Sequence, residues 1–217
     1  MATEPPESSL TTSAVPPPTP AESDGRFMAN LRGAGLLDDL TDTLLQVFLE
    51  RLDPSMDADA RRLDILDLYY QGGGDLELGR RRAAQDRYFC HRATDEVSAH
   101  EVVQRLLPLL PELPTVRLER IGTEDQDDGP LVLRGGEHLS AVDDDESGNG
   151  TVSVQALVGA INVLLARHNV RRRLVLLRVD GRREAFIAIG PAEAVGLCQR
   201  GCLEVGAPDQ LMEYAAW

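Results

Sequence analysis

Lysine is missing from this 217-residue chain: histidine aside, all 22 of its basic residues are arginine. Chemistry that needs an ε-amino group is thereby excluded, whether a Schiff base, a phosphate-loop lysine or a desolvated lysine base, because a guanidinium keeps its proton and cannot stand in. Aromatic residues are almost as scarce, at 4%. The core must therefore be assembled from Leu, Val, Ile and Ala through many small dispersion contacts. There are three cysteines, Cys90, Cys198 and Cys202, an odd number without the spacing of a disulfide scaffold. Apolar runs never approach the roughly 18 residues that a membrane span requires, so no membrane partner is expected. The start of the chain has no signal-peptide pattern, and a reducing bacterial cytoplasm is the expected setting.

Positive charge is also in deficit, with a formal net charge of −14. Nucleic-acid binders draw most of their affinity from neutralising phosphates, so nucleic acid is not an expected partner. A basic protein surface is what such a charge would attract. With 42% hydrophobic residues, a chain of this size has enough apolar material for a sizeable core, removing roughly 70% of its unfolded surface from water.

Residues 1–25 hold six prolines among Ser, Thr, Ala and Glu, and only Leu10 and Val15 as sizeable apolar groups. Burial cannot offset the entropy of ordering such a segment, which predicts a disordered Pro/Ser-rich arm. Helical spacing dominates 26–111. Leu37, Leu40, Leu44, Val47, Phe48 and Leu52 recur three or four apart and predict a helix over 38–52, and a second follows from Asp57 until Gly72, Gly73 and Gly74 end it. A third is expected over 76–90, and a fourth from the cap Thr94 to Pro108.

In the remainder, 112–217, the period shifts toward two, with strands at Val116 to Ile121, at Leu131 to Leu133 and over 137–142. The pair Gly135-Gly136 is read as a two-residue hairpin turn. A helix over 153–168, with Asn169 as its left-handed terminator, precedes a second hairpin about Asp180-Gly181. Helices over 191–200 and 208–216 complete the chain, with Trp217 held against the domain. The predicted fold class is α+β: an N-terminal helical bundle followed by an α/β domain with a mainly antiparallel five-stranded sheet, in the order α-β-β-β-α-β-β-α. This order of elements resembles that of the small acidic chaperones of type III secretion, a likeness of element string that no residue motif carries.

Two acidic loops are the first candidate constellation. Glu124, Asp125, Asp127 and Asp128 precede the second strand of the meander, and Asp143, Asp144, Asp145 and Glu146 follow the third. A three-stranded meander brings both loops to one end of the sheet, where they would face a cationic partner. Asp143, Asp145 and Ser147 also copy the start of a calcium loop, but the twelfth position is Val154 where a bidentate glutamate is needed. Cys90, His91, Cys198 and Cys202 have the atom types of a zinc site, at a spacing that does not suit one. Arg171, Arg172 and Arg173, near the end of the 153–168 helix, either complement its dipole or form an anion or docking patch.

No complete catalytic motif is present: Gly72 to Gly74 lacks the following Lys and Ser or Thr, and no serine sits in a nucleophile elbow. No cofactor is expected. The leading expectation is a non-catalytic protein-interaction module, an adaptor, chaperone or regulatory subunit; a homodimer would consume any apolar stripe left exposed. The alternatives are a small hydrolase or transferase with its site in the C-terminal domain, and an acidic immunity or antitoxin-like protein that binds a basic toxin.

Overall fold

The computed structural model describes residues 19–92, 98–121, 130–142 and 152–203. Among them lie seven α-helices and two three-stranded antiparallel sheets, a mixed α+β architecture.

Helix α1 (Pro20–Gly33) starts earlier than composition suggests. Thr19 accepts a hydrogen bond from the Glu22 N–H, Glu22 accepts one back from the Thr19 N–H at 2.7 Å, and Pro20 fits the first helical position. The arm expected over 1–25 thus gives way to helix by Pro20, and residues 1–18 lie outside the described set. Helix α2 (Asp42–Leu49) is shorter than the predicted 38–52: Leu37 turns the chain at φ +58, and Thr41, which accepts the Leu44 N–H, caps the helix. Leu37 and Leu40 are buried as loop residues instead.

Helix α3 (Ala58–Tyr70) begins at the Asp57 cap, as expected, and a short 3-10 turn over Gly72–Gly74 leads into α4 (Leu76–Gln85). Gly79 lets α4 lie against the end of α3, since a Cβ there would stand 2.3 Å from the Tyr70 carbonyl oxygen. The predicted third helix stops at Gln85. Arg87 turns the chain at φ +59, and the next five residues are a strand, β1 (Tyr88–Arg92).

Helix α5 (Ala99–Leu106) opens with a Ser98–Glu101 capping box, and the start expected at Thr94 lies outside the described residues. Strands β2 (Val116–Arg120), β3 (Leu131–Gly135) and β4 (His138–Ala141) form the expected meander. Helix α6 (Val154–Arg167) ends with Asn169 at φ +57, where a left-handed residue was predicted. Strands β5 (Arg173–Val179) and β6 (Arg183–Ile189) form the second hairpin, and α7 (Pro191–Gln199) follows. The region of 208–216 and Trp217 lies outside the described residues.

Both hairpin turns sit one residue further along than the dipeptides suggest. The pair Gly135↔His138 puts Gly136-Glu137 at the centre of the first, and the Asp180 N–H bond to the Arg183 carbonyl puts Gly181-Arg182 at the centre of the second. Each turn has one positive φ, at Gly136 (+57) and Gly181 (+75), where a type I′ turn would need two. Asp180 is displaced from the second turn's centre because its carboxylate accepts the Arg182 and Arg183 N–H groups from the edge.

A single five-stranded sheet does not form. The strands divide into β2-β3-β4 and β1-β6-β5, and β1, from the stretch read as helix, pairs antiparallel with β6 from Tyr88↔Ile187 to Arg92↔Arg183. This second sheet is the middle layer of the molecule. Alternation sends Tyr88, Val175, Ala185, Ile187 and Ile189 into one core with α1 to α4 and α7, and Phe89, Leu174, Phe186 and Ala188 into another with α5, α6 and the β2-β3-β4 sheet. Because both faces are covered, β6 reads as a nearly continuous apolar run. A bulge at Leu177 lets Arg178 join the first face, where it lies 4.8 Å from the Phe27 ring centroid and 3.3 Å from Asp59.

Candidate functional site

The polar end of the middle sheet holds a cluster of five charged side chains. Arg92 and Arg183 are directly opposed across β1 and β6, a like-charge pairing that would be unfavourable on its own. Helix α3 supplies the counter-charge. Asp64 and Asp67, three apart on one helical face, meet Arg183 Nη1 at 2.5 and 3.2 Å, and Asp67 also accepts Arg92 Nη2 at 2.6 Å. Asp180 takes Arg183 Nε and Nη2 at 2.9 and 2.6 Å, and Arg183 Nη2 reaches the Ala60 carbonyl at 3.2 Å. Burial raises the Asp180 pKa, but the bonds from Arg183 and from the Arg182 and Arg183 N–H groups outweigh it and hold the carboxyl below the usual carboxylate range. A cleft of about 750 Å³ lies over this cluster, with Arg51, Arg182 and Gln71 also in its walls.

Beside the cleft, and sharing Asp67, Gln71 and Arg92 with it, a groove of about 800 Å³ follows the outer edge of β1. Its walls are α4, through Arg80, Ala83 and Ala84, and the end of α5 with the turn after it, through Gln104, Arg105 and Leu109. Cys90 lies in this groove. Burial and the neighbouring Asp67 carboxylate push its thiol up to about 12, the opposite of what a nucleophile requires. The Tyr88 hydroxyl, buried next to Cys90, makes no hydrogen bond of sound geometry among the described residues.

The structure scatters several of the residues singled out from sequence. Cys90 packs against the helical core, whereas His91, its strand neighbour, projects to the other face, toward a small pocket with Val179 and Glu184. Cys198 is half-buried on α7 and Cys202 is buried just beyond it, burial raising both thiols. Among the described residues no three His, Cys, Asp or Glu side chains gather to hold a metal ion. Arg171 to Arg173 do not converge: Arg173 is buried and donates to the Val170 and Arg172 carbonyls, Arg172 pairs with Glu112, and Arg171 is exposed. Glu124, Asp125, Asp127, Asp128, Asp143, Asp144, Asp145 and Ser147 all lie outside the described residues.

Sequence reasoning did not find the Asp64, Asp67, Asp180 and Arg183 cluster, whose members come from two segments more than a hundred residues apart. The available signal was the i, i+3 acidic pair on α3, unpaired with any arginine one turn on. No family model matches the chain, and neither a curated protein nor a solved structure matches it. No helix of the described residues is long and apolar enough to cross a membrane.

Proposed function

We propose that this protein is a non-catalytic interaction module that works by holding another protein. The observation that carries the reading is that the carboxylates converging in the cleft, Asp64, Asp67 and Asp180, are spent on arginine. Arg183 bridges three carboxylates, Arg92 shares one of them, and the adjacent Cys90 thiol is held protonated. A general acid or base needs a pKa near the working pH, and Asp180 is moved away from it. Such a knot fixes α3 to the β5-β6 hairpin beside the groove, and a fixed scaffold is what a binding surface needs.

The second reading, a small enzyme, draws on the convergence of Asp64, Asp67 and Asp180 in one cleft. Native-level affinity capture followed by a turnover screen separates the two. The interaction reading expects a stoichiometric protein partner that survives the substitution Asp64→Asn. Turnover of a small molecule that the same substitution abolishes would establish the enzyme instead.

A further inference from the structure

The open edge of β1 has the attributes of a strand-addition site. The Ala188 N–H bonds to the Arg87 carbonyl at 2.9 Å, and this sets the parity of the strand: Arg87, Phe89 and His91 direct their backbone groups to β6, and Tyr88, Cys90 and Arg92 direct theirs outward. Of the outward groups, the Cys90 carbonyl is met by a side chain, Arg105 Nη2 at 3.3 Å. A guanidinium there stands where the N–H of an incoming strand would stand. The opposite edge of the same sheet is treated differently: Asn162 closes β5 by giving its Nδ2 to the Leu174 carbonyl at 2.9 Å and taking the Leu174 N–H at 2.8 Å. One edge is capped by a side chain at Leu174 and the other lies at the floor of a groove.

Charge says what kind of strand fits. The molecule as a whole is acidic, yet the groove along β1 carries Arg80, Arg92 and Arg105 against the single carboxylate of Asp67. Asp67 is already engaged by Arg92 and Arg183. Arg80 is exposed and has no ion-pair partner among the described residues, and Arg105, also exposed, has its guanidinium 5.1 Å from the Phe89 ring centroid. Ala83, Ala84 and Leu109 give its walls their apolar part.

We propose that the groove binds an extended, acidic peptide segment of a partner protein, added as a strand to the outer edge of β1. Its backbone would pair with Tyr88, Cys90 and Arg92, its carboxylates would meet Arg80 and Arg105, and Arg105 would release the Cys90 carbonyl on binding. This rests on the interaction reading above and narrows it to one surface and one ligand chemistry.

The test titrates a labelled ten-residue peptide built on the repeat Glu-Glu-Val-Val, which puts carboxylates on both faces of a strand, into the full chain, beside its Lys-Lys-Val-Val counterpart. Saturable binding of the acidic peptide is expected, weakened at least 10-fold by the surface double substitution Arg80→Glu with Arg105→Glu. Amide exchange at Tyr88 and Cys90 should slow at least 10-fold in the complex, a change that adhesion elsewhere would not produce. Equal binding of both peptides, no binding, or unchanged exchange in β1 would overturn the proposal. Capture of a natural partner undiminished by the double substitution would overturn the groove while keeping the interaction reading, and absence of any partner would remove that reading itself.

Discussion

Replacing Arg183 by Met isolates the charge knot, because the thioether keeps much of the side chain's apolar volume while removing every N–H donor. Three carboxylates then lose their shared counter-ion, and two of them, Asp67 and Asp180, have side chains only 11% and 6% exposed. Breaking a buried pair costs about 3–5 kcal/mol, whereas an exposed pair contributes below about 1. The lower end applies here, about 3 kcal/mol, because Asp64 is 34% exposed and Arg92 still faces Asp67. For a chain of this size that corresponds to a fall in Tm of roughly 6–12 °C. The pH dependence follows from Asp180. Its pKa is lowered by folding, so its contribution is present above the ordinary Asp value of 3.8 and is lost as the pH falls through the folded value. Calorimetry across pH 3 to 7 should therefore show the gap between wild type and Arg183→Met narrowing on the acid side. A loss below about 1 kcal/mol at pH 7, or a gap that does not change with pH, would refute the claim that the knot is a buried electrostatic clamp.

Other substitutions probe the remaining parts of the account. Asp86, whose carboxyl burial pushes up against the hydrogen bonds from Tyr70 and the Leu37 N–H, is disfavoured when ionised; its contribution is present below the unfolded value and lost as pH rises through the folded one. Asp86→Asn should then melt above wild type at pH 7 and level with it near pH 4 by thermal denaturation, and a lower Tm at pH 7 would contradict this. Asn162→Ala should cost about 2 kcal/mol in urea unfolding, since it strands the buried N–H and carbonyl of Leu174; a cost under about 0.5 would mean that water reaches this edge. Gly79→Ala should destabilise by about 1–3 kcal/mol, because its methyl would overlap the Tyr70 carbonyl, and a neutral result would show that α4 shifts freely. Cys90 should stay unmodified by a thiol reagent at pH 7 in the native state, as a thiol held near 12 is almost wholly protonated; rapid labelling would undo the argument against a nucleophile there.

Local signals carried far in this chain and long-range ones did not. Asp57 and Asn169 mark helix ends by side-chain and backbone chemistry that acts within a few residues, and both behave as their residue types predict. The Thr19–Glu22 capping box was equally local, but the prolines around it dominated the composition and masked it. Strand β1 was hidden for a different reason. Gln85-Asp86-Arg87 contains neither Gly nor Pro, so nothing in sequence announces the turn that Arg87 makes, and Tyr88-Phe89-Cys90 prolongs the apolar spacing of α4. Its partner β6 lies almost a hundred residues away, and such pairing is decided by which faces need covering. The expectation of a single five-stranded sheet went with that omission. The candidate site shared its fate: Asp180 and Arg183 flank a turn that was legible, but only the packing of α3 onto the sheet shows that Asp64 and Asp67 complete them.

The central proposal is that this protein works by holding another protein. Affinity capture at native expression, with the recovered complex weighed by light scattering, tests it most directly. The account predicts a defined complex of fixed stoichiometry with a second protein, present with the cleft residues intact or substituted. A monomer that captures nothing and consumes a small molecule in its cleft would contradict it.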